Sequence, residues 1–227
     1  MDAVEERFQS RLADGTLLLF RRIRPDDNER LQQGVRFLSP QSRFLRFFHY
    51  VDHLSDAQLR YLTEVDFVDH FAWIAVMPDI EGEPGVGVGR WIRTPDDPAI
   101  AEGAVTVVDE FHNRGIGKTL LWLMARSAIQ QGVHTFRAWT LGDNRTMQQL
   151  LKDFGARPGR WESGVMEVLV PLPDDADDLA STPAPLVLRA AAAGEFHGEA
   201  QDPQRPTSTR LIAPPTFLAD SGEEVDG

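Results

Sequence analysis

Ala104-Val-Thr-Val-Val-Asp-Glu-Phe-His-Asn-Arg-Gly-Ile-Gly-Lys-Thr-Leu-Leu121 joins an apolar, β-branched run to a glycine loop that opens a helix, and the rest of the chain is organised around it. Val105, Thr106, Val107 and Val108 favour a half-buried strand. After Gly117 the apolar residues Leu120, Leu121, Met124 and Ala128 recur at helical spacing until Gly132 stops the pattern. Between strand and helix, Asn113, Arg114, Gly115, Ile116 and Gly117 leave the backbone nearly bare. Amides at a helix N-terminus, with no Cβ in the way at the glycines, suit a pyrophosphate.

Spacing decides between the phosphate loops that such a segment can be. A Walker loop needs glycine five residues before Gly117-Lys118-Thr119, and that position is His112. The dinucleotide fingerprint needs a third glycine at 120 after Gly115 and Gly117, and finds Leu120. The remaining pattern, His112-Asn-Arg-Gly115-Ile-Gly117, resembles the acyl-CoA pyrophosphate loop of the GNAT-type N-acetyltransferases, (Gln/Arg)-x-x-Gly-x-(Gly/Ala). His112 is the one position that departs from it.

At 227 residues and 42% hydrophobic, the chain can bury one good core. With no Cys, a disulfide framework, a thiolate zinc site and a covalent cysteinyl mechanism are excluded. The first residues lack the basic start and apolar core of a signal peptide, and no apolar run reaches the length of a membrane span, so a cytoplasmic protein is expected. The net charge of −12 is uneven: residues 172–227 hold eleven acidic residues and three Arg, a net −8, leaving −4 on residues 1–171. That balance argues against nucleic-acid binding. No His pair has the helical spacing of a metal site, and no metal is expected.

Residues 1–15 read as a frayed or helical lead-in, and Thr16–Ile23 as a first strand. Asp26 or Asp27 can cap a helix carrying Leu31, Val35 and Leu38. Ser39-Pro40 starts a second helix, with Phe44, Phe47 and Phe48 inward and Arg43 and Arg46 either guiding an acceptor or, as expected here, covering the phenylalanines. A short third helix covers Ser55–Leu62. Strands follow at Phe71–Met77, Val86–Ile92, Ala101–Val108 and His134–Thr140, then a helix over Asn144–Phe154 and a closing hairpin of Arg160–Glu162 with Val165–Val170. The order predicts an α/β fold, a mixed sheet with helices on both faces. From 172 onward, seven of the fifteen prolines, the Asp174–Asp178 acidic run and an alanine patch predict a largely disordered tail over 172–227.

The order of elements and the residues from Ala101 to Ala156 resemble the GNAT superfamily across 16–171. Within it, Arg21-Arg-Ile-Arg-Pro-Asp-Asp27, Leu38-Ser-Pro-Gln-Ser-Arg-Phe-Leu-Arg-Phe-Phe48, Leu59–Asp66 and Ala101-Glu102 followed by Val107-Val-Asp-Glu look like the Pat-type bacterial protein lysine acetyltransferases. Those enzymes often carry a cyclic-nucleotide or acyl-CoA-synthetase-like domain, for which this chain has no room. The resemblance implies a mostly antiparallel sheet in which the parallel strands 101–108 and 134–140 splay to admit acetyl-CoA. It implies that Val107 and Val108 meet the pantetheine amides, and that the backbone of Asn113, Arg114, Gly115, Ile116, Gly117 and Lys118 holds the pyrophosphate. Asn144 matches the family residue facing the cofactor arm, and also reads as a simple helix cap.

Acetyl transfer requires a neutral amine, so a base must act on an acceptor such as lysine, whose free pKa is about 10.4. Glu102 matches the family position of that carboxylate; taken alone it also reads as a strand-edge Glu paired with an Arg. Asp109 and Glu110 fall beside the phosphates and suit the role less. The Tyr that many relatives place seven residues after the helix-starting Asn is Leu151 here, as in Pat-type sequences, which implies that the leaving thiolate is protonated by water. The resemblance therefore implies a direct acetyl-CoA-dependent N-acetyltransferase with a protein lysine as leading acceptor. A small amine or antibiotic as acceptor, and a non-catalytic acyl-CoA sensor, are the alternatives. Neither oligomeric state nor acceptor identity is readable from the residues.

Overall fold

A computed structural model describes residues 6–47, 51–142, 145–162 and 164–181. Eight strands form one sheet in the order β1-β2-β3-β4-β5-β6-β8-β7, with β1 Arg7–Arg11, β2 Leu17–Arg22, β3 His70–Val76, β4 Gly85–Arg93, β5 Ile100–Val107, β6 Thr135–Leu141, β7 Arg157–Glu162 and β8 Val165–Pro171. Five helices complete it: α1 Asn28–Phe37, α2 Pro40–Phe47, α3 Asp56–Thr63, α4 Ile116–Gln130 and α5 Arg145–Asp153. Every strand pairing is antiparallel except β5 with β6. The mixed α/β architecture read from the sequence is thus the one found.

Strand alternation divides the sheet into two faces. One face packs on α4, where the apolar side of the helix joins Trp73, Trp91, Val105, Val107 and Phe136 in the main core. Gly87 and Gly89 let the helix approach: a Cβ on Gly89 would lie 2.8 Å from Met124 Sδ, and one on Gly87 3.1 Å from Leu120 Cδ1. Ser127 of α4 then serves two buried indoles, accepting from Trp91 Nε1 at 2.9 Å and Trp73 Nε1 at 3.3 Å. The opposite face carries α1 and α3, with Val35, Phe47, Val51, Leu54 and Leu62 forming a second cluster.

Three elements depart from the sequence reading. Residues 7–11 are not a helical lead-in but an edge strand, paired from Arg7↔Arg21 to Arg11↔Leu17. Asp27 precedes α1, yet its side chain makes no cap hydrogen bond; instead it grips the buried Arg21 guanidinium through two contacts of 2.7 Å. A charge taken from water is held best by a bidentate partner, so this pair outcompetes the cap. Phe44 is 40% exposed, whereas Phe47 is buried and Ser42 turns inward to Asp109. Phe48 lies outside the described residues.

Beyond β8, Ala176–Ser181 forms a short 3-10 helix whose Leu179 is buried in the main core. Composition assigned these residues to the tail. The rest of that tail, 182–227, lies outside the described residues.

Candidate active site

The parallel pairing of β5 with β6 lasts three residues, Ile100↔Thr135, Ala101↔Phe136 and Glu102↔Arg137, and then ceases. From Gly103 onward the two strands diverge, leaving a wedge-shaped opening whose apex is Glu102. Which backbone groups face this opening follows from the antiparallel ladder with β4. The Val108 N–H donates to the Val86 carbonyl at 2.9 Å, so it is turned away from the opening. Since bonding alternates along such a ladder, the N–H and C=O of Val107 point to the other side. Consistently, the Val107 carbonyl meets His112 Nε2 at 2.9 Å. Of the two valines implied to meet a pantetheine arm, Val107 presents its amide to the opening.

His112 therefore has a structural partner, and it ties the loop to the end of β5. Asp109 ties the same loop to α2: its carboxylate accepts from Ser42 Oγ at 2.8 Å and from the Ser39 N–H at 3.2 Å. Burial alone would raise the Asp109 carboxyl, but the Ser42 and Ser39 hydrogen bonds, with His112 nearby, outweigh it and hold the group below the usual carboxylate range. An acid held this way is a brace rather than a base.

The chain then turns through Asn113 at φ 59° and Gly115 at φ 84°. The left-handed Gly115 is the N-cap of α4, and no side chain caps the helix. The amides of Ile116, Gly117 and Lys118 thus have no intrahelical acceptor. Two cations flank them on the outside. Arg114 pairs with Asp14 at 2.6 Å and lies over the Phe111 ring, and Lys118 sits 3.7 Å from Asp153 of α5. Together these groups can hold a diphosphate by amide donation and dipole, with Arg114 and Lys118 supplementary. Asn144 lies outside the described residues.

Glu102 stands 102↔92 against β4 and 102↔137 against β6, on the sheet face away from α4. Its Oε2 is buried with no hydrogen-bond partner. Burial pushes the carboxyl up to about 7, with Arg137 pulling in the opposite direction. Arg137 is itself shared with Glu167, Nε to Oε1 at 3.2 Å. Leu151, at the position of the family Tyr, is buried in the core and offers no hydroxyl to the opening.

A cleft of about 620 Å³, part of it open to solvent, runs along the same sheet face beneath α1 and α2. Ala104, Thr106 and Val108 of β5 form its floor together with Val88 and Arg90 of β4, and Arg46 of α2 lines it too. Arg90 was not singled out by sequence; its only signal there is a lone cation at an inward-facing position of a glycine- and valine-rich strand. Its guanidinium donates to His70 Nε2 at 2.8 Å and to the Leu62 carbonyl at 3.0 Å. Burial and the Arg90 charge hold His70 down at about 3, so the imidazole is neutral and Nε2 accepts.

A splayed parallel pair, an amide-rich loop at a helix start and a buried carboxylate at the apex define an acyl-CoA-type transferase fold. Residues 43–156 match the Acetyltransferase (GNAT) family, and the chain belongs to it. It is 35% identical over 159 residues to the acetyltransferase Pat of Mycolicibacterium smegmatis, covering 70% of this chain and 47% of that relative. The chain thus spans about half the length of this relative. An acetyltransferase of Pseudomonas aeruginosa is 28% identical over 139 residues, which is 61% of this chain and 74% of the other. Among solved structures, the GNAT domain of S. lividans PAT superposes with a TM-score of 0.65 at 29% identity, over 73% of this chain and 97% of that domain. A cAMP-binding acyltransferase from Mycobacterium smegmatis gives a TM-score of 0.54 at 29% identity, over 84% of this chain and 54% of its own.

Proposed function

We propose that this chain transfers an acetyl group directly from acetyl-CoA to an amine, the ε-amine of a protein lysine being the leading acceptor, with Glu102 as general base. The observation that carries the proposal is the Glu102 carboxyl at the apex of the opening, with one oxygen buried and unpartnered and its pKa pushed up to about 7. A base titrating near neutrality is ionised often enough to act and basic enough to take a proton. The diphosphate of the donor would rest on the amides from Asn113 to Lys118, and the arm would pass the Val107 amide toward Glu102. Val108 would contribute side-chain contact only, since its N–H is already bonded to Val86.

In the reaction the acceptor ammonium gives a proton to Glu102, directly or through water. The neutral nitrogen forms a bond to the thioester carbonyl carbon, and the C–S bond breaks as the electron pair leaves with sulfur. The nitrogen then loses its second proton to solvent water, and the thiolate takes one from water, because Leu151 offers no acid. The likeness to a relative named acetyltransferase Pat, 35% identical over 159 residues, supports this reading.

The test is coenzyme A release by purified protein with acetyl-CoA and lysine peptides. Glu102→Gln is expected to lower kcat/KM roughly 100-fold or more, as for loss of a general base. Equal rates in the two proteins, or no turnover with any peptide or small amine, would remove the proposal.

A further inference from the structure

Seven arginines of the described residues meet carboxylates: Arg21 and Arg30 meet Asp27, Arg43 meets Asp52, Arg93 meets Asp69, Arg114 meets Asp14, Arg126 meets Glu6 and Arg137 meets Glu167. The two that line the cleft beside Arg30 do not. Among the described residues, Arg90, 4% exposed, bonds to a neutral imidazole and a backbone carbonyl and to no carboxylate. Arg46 lies over the Phe47 ring, at 5.2 Å from its centroid. None of the seventeen residues lining the cleft is an Asp or Glu. Two guanidiniums therefore share one partly enclosed space with no carboxylate of the described residues in ion-pair contact with either. Removing a cation from water without a partner is costly, and burial and the Arg46 charge together lower Arg90 to about 9.

The register fixes where this charge lies relative to the base. Arg90 is opposite Ala104 and Ile92 is opposite Glu102, so Arg90 and Glu102 are diagonal neighbours on one sheet face, about 7 Å apart at the backbone. Val108, at the loop end of the same cleft, is four residues beyond Ala104, roughly 13 Å along the strand. The cations thus stand beside the base and apart from the amides that start α4.

Resting on the acetyl-transfer reading above, we infer that the acceptor carries an anionic group, a carboxylate or phosphoryl, next to its reacting amine, and that Arg46 and Arg90 bind that group. The amine meets Glu102 while the anion supplies the missing counter-ion one step away along the sheet. A guanidinium fork matches both oxyanions. The same chemistry is available from a free amino acid or amino phosphate, or from a peptide lysine beside an acidic or phosphorylated residue. Acceptors with a second cation at that position are disfavoured.

The experiment compares matched acceptors by coenzyme A release: 4-aminobutyrate against butylamine, O-phosphoethanolamine against ethanolamine, and lysine dipeptides preceded by Glu, phosphoserine, Gln or Arg. The anionic member of each productive pair is expected to exceed its neutral partner by about ten-fold in kcat/KM, the scale of one charge-assisted contact. Arg46→Gln is expected to reduce that preference toward unity, and Arg46→Lys to keep part of it. Whether the small amines or the dipeptides carry the effect distinguishes the two sources. Equal use of charged and neutral acceptors, or a preference that survives Arg46→Gln, overturns the inference while leaving acetyl transfer intact. Should no acceptor turn over, calorimetry with N-acetyl-4-aminobutyrate and N-butylacetamide decides it. Tighter binding of the charged compound, lost in Arg46→Gln, supports the anion site, and equal or absent binding of both overturns it. Arg90→Gln serves as a second variant, since His70 and Leu62 also depend on Arg90, with its fold checked by circular dichroism.

Discussion

On the proposal that Glu102 is the base, Arg137 sets the pH at which it works. It is the parallel-strand partner of Glu102, and its charge pulls the carboxyl down against the effect of burial. With a pKa of about 7, roughly half of the Glu102 carboxyls are ionised at pH 7. Arg137→Gln removes the cation and leaves Glu167 without it, which adds an unneutralised negative charge nearby. Both changes raise Glu102. A shift of about one unit, the low end for losing a close opposite charge, leaves roughly one tenth of the carboxyls ionised at pH 7. The expected kcat/KM is therefore about five-fold lower at pH 7 and equal to wild type near pH 9, with the acidic limb of the profile moved alkaline by about one unit. The assay is coenzyme A release with a saturating donor from pH 5.5 to 9.5. A limb that stays in place or moves to lower pH refutes the coupling, and a uniform loss at all pH values assigns Arg137 a structural role instead.

Ser127→Ala leaves the buried indoles of Trp73 and Trp91 without an acceptor and should cost about 2–4 kcal/mol in urea unfolding; a loss below about 0.5 kcal/mol would show that both rings find other partners. Gly89→Ala drives a methyl into Met124 and should cost about 1–3 kcal/mol, with a raised KM for acetyl-CoA because α4 shifts. Glu102→Gln should stabilise the fold at pH 8. The folded carboxyl is raised from 4.5 to about 7, so its stability contribution is complete below the unfolded pKa and is lost as pH rises through the folded one. Discounted for solvent screening, the gain of the variant is roughly 1 kcal/mol at pH 8, shrinking toward pH 5, by thermal unfolding. His112→Ala frees the Val107 carbonyl and should raise the KM for acetyl-CoA by about three- to ten-fold with kcat little changed, by initial rates; an unchanged KM denies His112 its part in setting the loop.

Local signals carried much of this architecture. The valine run, the left-handed Gly115 and the apolar period of α4 are adjacent in sequence, and each depends on neighbours a few residues away. Glu102 was singled out only through the family resemblance, since taken alone it reads as a strand-edge Glu paired with an Arg. What escaped was non-local. Arg7–Arg11 reads as polar because an edge strand buries little, and only its ladder with β2 makes it a strand. Asp27 looks like a cap until Arg21 arrives from β2 to claim it. Insertion of β8 between β6 and β7 is a pairing choice invisible in either strand. Arg90 and Arg46 become a pair only when β4 and α2 face one cleft, forty-four residues apart in the chain.

The short ladder between β5 and β6 has one more consequence. Past Glu102 and Arg137 the sheet has two interior edges, each with backbone donors and acceptors that no strand among the described residues satisfies. On the proposed function, an extended amide-bearing arm lying between them would act as a ninth strand, completing the ladder that the chain leaves open. Folding and donor binding would then be a single coupled equilibrium: at a hundred times its dissociation constant the donor would add about 2.7 kcal/mol to stability. Hydrogen exchange at Val105 and Val107, fast without donor and slow with it, would record that completion residue by residue.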